Sequence, residues 1–237
     1  MARLDNLAVA VQQEPASRVY LMVYRSRRDL HGLNNRLLAR MKGYLVEQRG
    51  ISPERIVTVD GGEASCLTQE LWVAPPGTAP PAREDAYRRD FTPTEYAREF
   101  DELHYDLPGE SEYDNAADTE GSLEAFAAAL LKEPRTLAYV IAYPQYYVER
   151  WDEYMGEDES SRVKRNRTHL DPPGMAEKML RDVSAKLSRE HRIPRTRIRL
   201  VDGGHRRSRQ VELWIVPRGE HAPVPTPNSF PGRRRRR

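Results

Sequence analysis

Cysteine is nearly absent: Cys66 is the only one among 237 residues. That excludes a disulfide within the chain and any zinc site built on several thiolates. The histidines at 31, 104, 169, 191, 205 and 221 are scattered, and none shares a helix face with another at metal-ligand spacing. The sequence has no nucleophile elbow, phosphate loop or HExxH motif. It therefore reads as a noncatalytic chain with no cofactor and no metal. No apolar run approaches the roughly 20 residues that span a bilayer. The opening MARLDNLAVAVQQEP lacks a signal-peptide core and has the spacing of an amphipathic helix. Surplus positive charge is also missing from the body. The formal net charge is +2, and setting aside the five terminal arginines, Arg233–Arg237, leaves −3. The folded part is thus no basic nucleic-acid platform; only the arginine tail offers binding to nucleic acid or an anionic membrane.

What is present is a duplication. Leu4, Leu7, Ala8, Val11, Glu14, Pro15, Tyr20 and Tyr24 recur as Leu123, Phe126, Ala127, Leu130, Glu133, Pro134, Tyr139 and Tyr143, at an offset of 119. Leu37, Leu38, Met41 and Leu45 recur as Met179, Leu180, Val183 and Leu187, at an offset of 142. The same 142 carries Arg55 onto Arg197, Asp60 onto Asp202, Trp72 onto Trp214 and Pro75 onto Pro217. The second copy holds 23 extra residues between its first block and its second.

Each copy begins with an amphipathic helix ending at Glu-Pro, which a helix does not easily pass. Short β-branched and aromatic runs follow, VYLMVY and LAYVIAY, suited to a central strand covered on both faces. A second amphipathic helix, an alternating strand (RIVTV or RIRLV) and a closing ELW strand complete the unit. FDELHYDL at 100–107 supplies one more strand ahead of the second copy. The expected organisation is a first copy over 1–77, a proline-led acidic linker over 78–99, and a second copy over 100–218 with an insertion at 144–170. A proline- and arginine-rich tail over 219–237 is expected to be disordered.

The blocks LDNLAVAVQQEPASRVYLMVY, LLARMKGYLVEQRGISPERIVTVDGG and QELWVAP, with their second-copy counterparts, resemble the OmpA-like domain. DGG followed by VELWIVP also resembles the endings of uncharacterised secreted bacterial proteins. The resemblance implies an α+β fold of two tandem β-α-β-α-β-β two-layer sandwiches, the first lacking its opening strand. It also implies a periplasmic or cell-envelope setting, which the sequence alone leaves unknown. Peptidoglycan, the family's ligand, is implied only weakly. Val23-Tyr24-Arg25-Ser26 and Ala142-Tyr143-Pro144-Gln145 lack the aspartate that grips the diaminopimelate amine. Asn35, Leu38, Ala39 and Lys42 follow the family's helix start incompletely, and the second copy has no counterpart.

The candidate sites follow from these departures. Tyr146, Tyr147, Trp151 and Tyr154 lie beside six acids in the insertion and form the candidate partner-binding surface; the alternative is packing on their own domain. Arg25, Arg27, Arg28 and Arg40, with Arg36, gather where the family places its ligand, and form a candidate anion site or a solvated charged face. Asp60 and Asp202 read as turn residues beside glycines, since one aspartate per loop is far short of a calcium shell. The sequence thus points to a structural or protein-interaction role, as an envelope component or accessory subunit, with the protein partner unnamed. A peptidoglycan-associated module and tail-driven binding to anionic surfaces stand as alternatives.

Overall fold

The computed structural model describes residues 2–81, 83, 86, 94–105, 116–154 and 162–228. The first copy comprises α1 (Ala2–Gln13), β1 (Arg18–Ser26), α2 (Leu33–Gly43), β2 (Ile56–Ala64) and β3 (Thr68–Ala74). A π-type turn, Tyr44–Gln48, extends α2. The second comprises β4 (Arg98–His104), α3 (Ala116–Lys132), β5 (Thr136–Tyr143), β6 (Tyr146–Tyr154), β7 (Arg162–Leu170), α4 (Met175–Arg189), β8 (Ile198–Asp202) and β9 (Gln210–Pro217). The molecule is thus a mixed α+β protein with four α-helices among the described residues.

The sheets repeat as the sequence does. In the first, β1 lies between a parallel β2 and an antiparallel β3. In the second, β5 lies between a parallel β8 and an antiparallel β9, and β4 pairs antiparallel with the far side of β9. Register is kept as well: Val19 faces Ile56 as Ala138 faces Ile198, and Tyr20 faces Trp72 as Tyr139 faces Trp214. Among the described residues, β4 has no counterpart in the first copy.

Helices cover one face of each sheet. Leu4, Leu7 and Val11 of α1 and Leu38 and Met41 of α2 meet Val19, Leu21 and Val23 of β1 in one core. Leu123, Phe126 and Leu130 of α3 and Met179, Val183 and Leu187 of α4 meet Ala138, Val140 and Ala142 of β5 in the other. Burial of such side chains contributes about 1.5–3 kcal/mol each.

The repeated Arg-Ile has a physical cause. The Arg55 guanidinium donates to the carbonyls of Val11 (2.8 Å), Glu14 (2.8 Å) and Ser17 (3.0 Å). Arg197 does the same to Leu130 (2.8 Å), Glu133 (2.8 Å) and Thr136 (3.0 Å). These are equivalent positions in the two copies. In each, one arginine satisfies carbonyls left over where the first helix ends and the chain turns into the central strand.

The repeated Asp-Gly-Gly is equally structural. Asp60 and Asp202 each accept the amide N–H of the second glycine, Gly62 at 3.0 Å and Gly204 at 2.9 Å. Those second glycines have φ of 82° and 78°, a region that favours glycine. The first glycines serve another purpose. A Cβ at Gly61 would lie 2.2 Å from the Tyr24 ring, and one at Gly203 would lie 2.4 Å from the Tyr143 ring. Each motif is a seat for the buried tyrosine that ends its central strand.

The copies meet through α2 and α3, which run antiparallel. A Cβ at Gly121 would lie 2.4 Å from Ala39 Cβ and 2.8 Å from the Asn35 carbonyl, and one at Gly43 would lie 3.2 Å from Ala117 Cβ. Small residues at four-residue spacing on both helices let the backbones approach this closely. Arg40 closes the seam with a bidentate pair to Asp118, its Nε to Oδ1 at 2.8 Å. The same seam covers the outer edge of β4, where the Gly32 amide donates to the Phe100 carbonyl at 3.0 Å and Arg36 donates to the Glu102 carbonyl at 2.7 Å. An edge strand is protected this way from pairing with another chain.

Candidate functional site

The 23-residue excess of the second copy forms a two-stranded antiparallel ribbon, β6 with β7, inserted between β5 and α4. Both strands run nine residues, and no third strand pairs with either edge among the described residues. The base of the ribbon is clamped. Tyr146 is buried, and its amide donates to the Arg206 carbonyl at 2.7 Å. Asp171 accepts the Gln145 amide at 2.6 Å and both Nε and a terminal nitrogen of Arg209, at 2.7 and 2.6 Å. Burial raises the Asp171 carboxyl, but these donors outweigh it and hold the group below its ordinary value.

Alternation along β6 then sets the chemistry of each face. Tyr147, Glu149 and Trp151 point one way, opposite His169, Arg167 and Arg165 of β7. Tyr147 stacks on His169 with ring centroids 4.6 Å apart and an interplanar angle of 6°. The imidazole in turn meets Glu149 at 2.8 Å. Even so, Tyr147 stays 52% exposed and Trp151 42% exposed. At such exposure neither ring is packed into a core.

The candidate partner residues are therefore divided. Tyr146 packs into its own domain and fixes the ribbon, whereas Tyr147 and Trp151 are presented to solvent. The backbone of Tyr154 closes β6, and its side chain lies outside the described residues, as do Glu157, Asp158 and Glu159. In the sequence these aromatics stand beside acids. Pairing brings a second strand, RVKRNRTHL, against them, so Arg165 and Arg167 share the aromatic face.

The candidate anion arginines also divide. Arg25 is buried against Glu63 at 2.7 Å and donates to the Asp29 carbonyl. Arg40 is committed to Asp118 across the copy seam. Arg27 and Arg28 are exposed beside a surface cleft that Ser26, Asp29, Glu63, Ser65 and Cys66 also line. The terminal arginines, Arg233–Arg237, lie outside the described residues.

A second polar centre occupies the sheet face that the helices leave open. Arg206 lies over the Tyr143 ring at 3.6 Å, pairs with Glu212 and approaches Glu102 at 3.9 Å. Glu212 also accepts from Tyr143 Oη at 3.1 Å and Trp214 Nε1 at 2.9 Å. Glu99 joins this group, its carboxyl pushed up to about 7 by burial first and then by Glu212 and Glu102. Residues 224–228, from the stretch read as a disordered tail, run across this face. The Thr226 amide donates to Tyr143 Oη, and the Asn228 amide donates to the His205 carbonyl. The first copy builds the same centre on the equivalent Tyr24, Glu70 and Trp72 but takes its arginine from another position: Arg83 lies over Tyr24 at 5.5 Å and bonds Glu70, and Trp72 Nε1 donates to Glu70 at 3.3 Å.

The Glu99, Glu102 and Glu212 carboxylates converge, but they already surround the Arg206 guanidinium, so the group fits an internal ion network better than a metal. Glu120, Glu190 and His191 form a second cluster, in which Glu120 already meets Lys186 and His191. Among the described residues no helix is long and apolar enough to cross a membrane. Comparison of the chain with protein-family models, with curated proteins and with solved structures finds no match.

Proposed function

We propose that this chain is a noncatalytic interaction protein in which two fused copies of one α+β unit form a rigid base for the β6–β7 ribbon. The order strand-helix-strand-helix-strand-strand in the second copy, with the ribbon inserted, supports the OmpA-like reading of the unit and hence a role as an envelope component or accessory subunit. A single observation carries the proposal: Tyr147 and Trp151 are exposed on a ribbon whose base is clamped by Tyr146, Asp171 and Arg209. Rigid presentation lowers the ordering entropy that binding must overcome, and exposed Trp, Tyr and Arg are the residue types that anchor interfaces. The partner face is amphipathic, with two aromatic anchors flanked by Arg165 and Arg167.

The test compares proteins retained from source-cell extract by the full chain and by a version lacking residues 146–168. A defined set lost only with the ribbon supports the proposal. An identical set from both, with the shortened chain folded by circular dichroism, refutes it.

A further inference from the structure

We propose that β3 is the site of self-association, pairing antiparallel with β3 of a second copy of this chain about a twofold axis through Leu71.

In the second copy, β9 is an interior strand with β5 on one side and β4 on the other. Its equivalent, β3, has β1 on one side and, among the described residues, no strand on the other. Among the described residues, β2 and its equivalent β8 are both edge strands, so β3 is the position at which the copies differ. The difference is visible in burial. Val211, Leu213 and Ile215 of β9, flanked by β4 and β5, are buried, whereas Gln69, Leu71 and Val73 of β3 are half-buried. Leu4 and Leu7, which lie above the uncovered position, keep 8% exposure each, against 0% for Leu123 and Phe126. Trp72 is 40% exposed and Leu67 44% exposed at the same edge.

Strand edges left open in native proteins usually carry lysine, proline or a bulge. The β3 sequence TQELWVA has none of these, and its pairing with β1 is regular along its whole length. β4 itself is covered by Gly32 and Arg36 and is not available.

The occupant follows from self-complementarity. An antiparallel pair centred on Leu71 places Leu71 opposite its own symmetry mate, Gln69 opposite Val73, and Thr68 opposite Ala74. On the open face it places Glu70 opposite Trp72. No like charges face each other, and the half-buried Leu71 and Val73 join the partner's copies over a continuous core. The contact is isologous and closed, the common arrangement for a homodimer. It joins two three-stranded sheets into one of six, in the antiparallel sense that β4 adopts on β9.

The test uses the full chain. Light scattering across a concentration series should show a dimer that dissociates on dilution. Trp72→Glu sets a second carboxylate opposite Glu70, twice per dimer, and should weaken association about tenfold or more; Trp72→Lys sets an opposite charge there, beside the Arg83 that already pairs with Glu70, and should retain it. In a Cys66→Ser background, Leu71→Cys should cross-link under mild oxidation, because residues opposite each other in an antiparallel pair lie within disulfide reach. Gln69→Cys should not, since its mate lies about 13 Å away along the strand. A monomer at all concentrations overturns the proposal. So does a dimer that Trp72→Glu leaves intact, or that Gln69→Cys cross-links as readily as Leu71→Cys.

Discussion

Replacing Gly203 by alanine adds a methyl where the structure has filled the space. The new Cβ would lie 2.4 Å from Tyr143 Cε1, 2.6 Å from Cδ1 and 2.8 Å from Ile141 Cγ2. Carbon atoms in contact settle at about 3.5–4.0 Å, so the ring must shift by about 1 Å. It has little freedom to do so. Tyr143 is fully buried, its hydroxyl bonds Glu212 and the Thr226 amide, and Arg206 covers its face. Gly203 is not in the left-handed region, so the effect is steric rather than conformational. Overpacking of this kind costs about 1–3 kcal/mol, and the immobile ring argues for the upper half, about 2–3 kcal/mol. Chemical denaturation of Gly203→Ala, Tyr143→Leu and the double variant forms the assay. The leucine removes the clashing ring, so alanine at 203 should cost at least about 1 kcal/mol less in the Tyr143→Leu background. A Gly203→Ala cost below about 0.5 kcal/mol, or strict additivity, would refute the tyrosine-seat account of the repeated glycines.

Two further perturbations test the framework. Arg197→Met strands the carbonyls of Leu130, Glu133 and Thr136 in a buried setting and should destabilise by about 3 kcal/mol in denaturant melts. Arg197→Lys should recover only part of that, because an ammonium cannot span three acceptors as the guanidinium fork does. The Glu99 carboxyl titrates near 7 in the folded chain against an ordinary value near 4.5. The folded state therefore holds its proton more tightly than the unfolded state, and stability should fall as pH rises from about 5 through 7. Glu99 is partly solvated, so screening limits the effect to about 1 kcal/mol. Glu99→Gln should flatten that part of a pH–stability curve; an unchanged slope would contradict the assignment.

Much of this fold was legible because its signals are local. The 3.6-residue stripes of α1 and α4 and the apolar runs of β1 and β5 each lie within one segment, and the duplication confirmed them. FDELHYDL was legible as a strand, which the structure places at Arg98–His104. The reasons behind the repeats were not, because they depend on residues distant in sequence. Gly203 needs Tyr143 above it, and Arg197 needs the end of α3. The α2–α3 seam was not legible, since Ala39, Gly43, Ala117 and Gly121 are ordinary helix composition until the helices are docked. For the site, composition flagged the aromatics but not the alternation that buries Tyr146 and exposes Tyr147, nor the basic strand across from them. Arg206 and Arg83 occupy unrelated positions in the two copies, so no repeat pointed to them.

The most direct test of the interaction account separates binding from folding at the ribbon. Tyr147→Ser with Trp151→Ser removes two aromatic rings that solvent already reaches, so the unfolding free energy should change by less than about 1 kcal/mol. Measured side by side with the parent chain, this variant is expected to keep its stability and lose the proteins that the parent retains. Full retention by an equally stable variant would contradict the account.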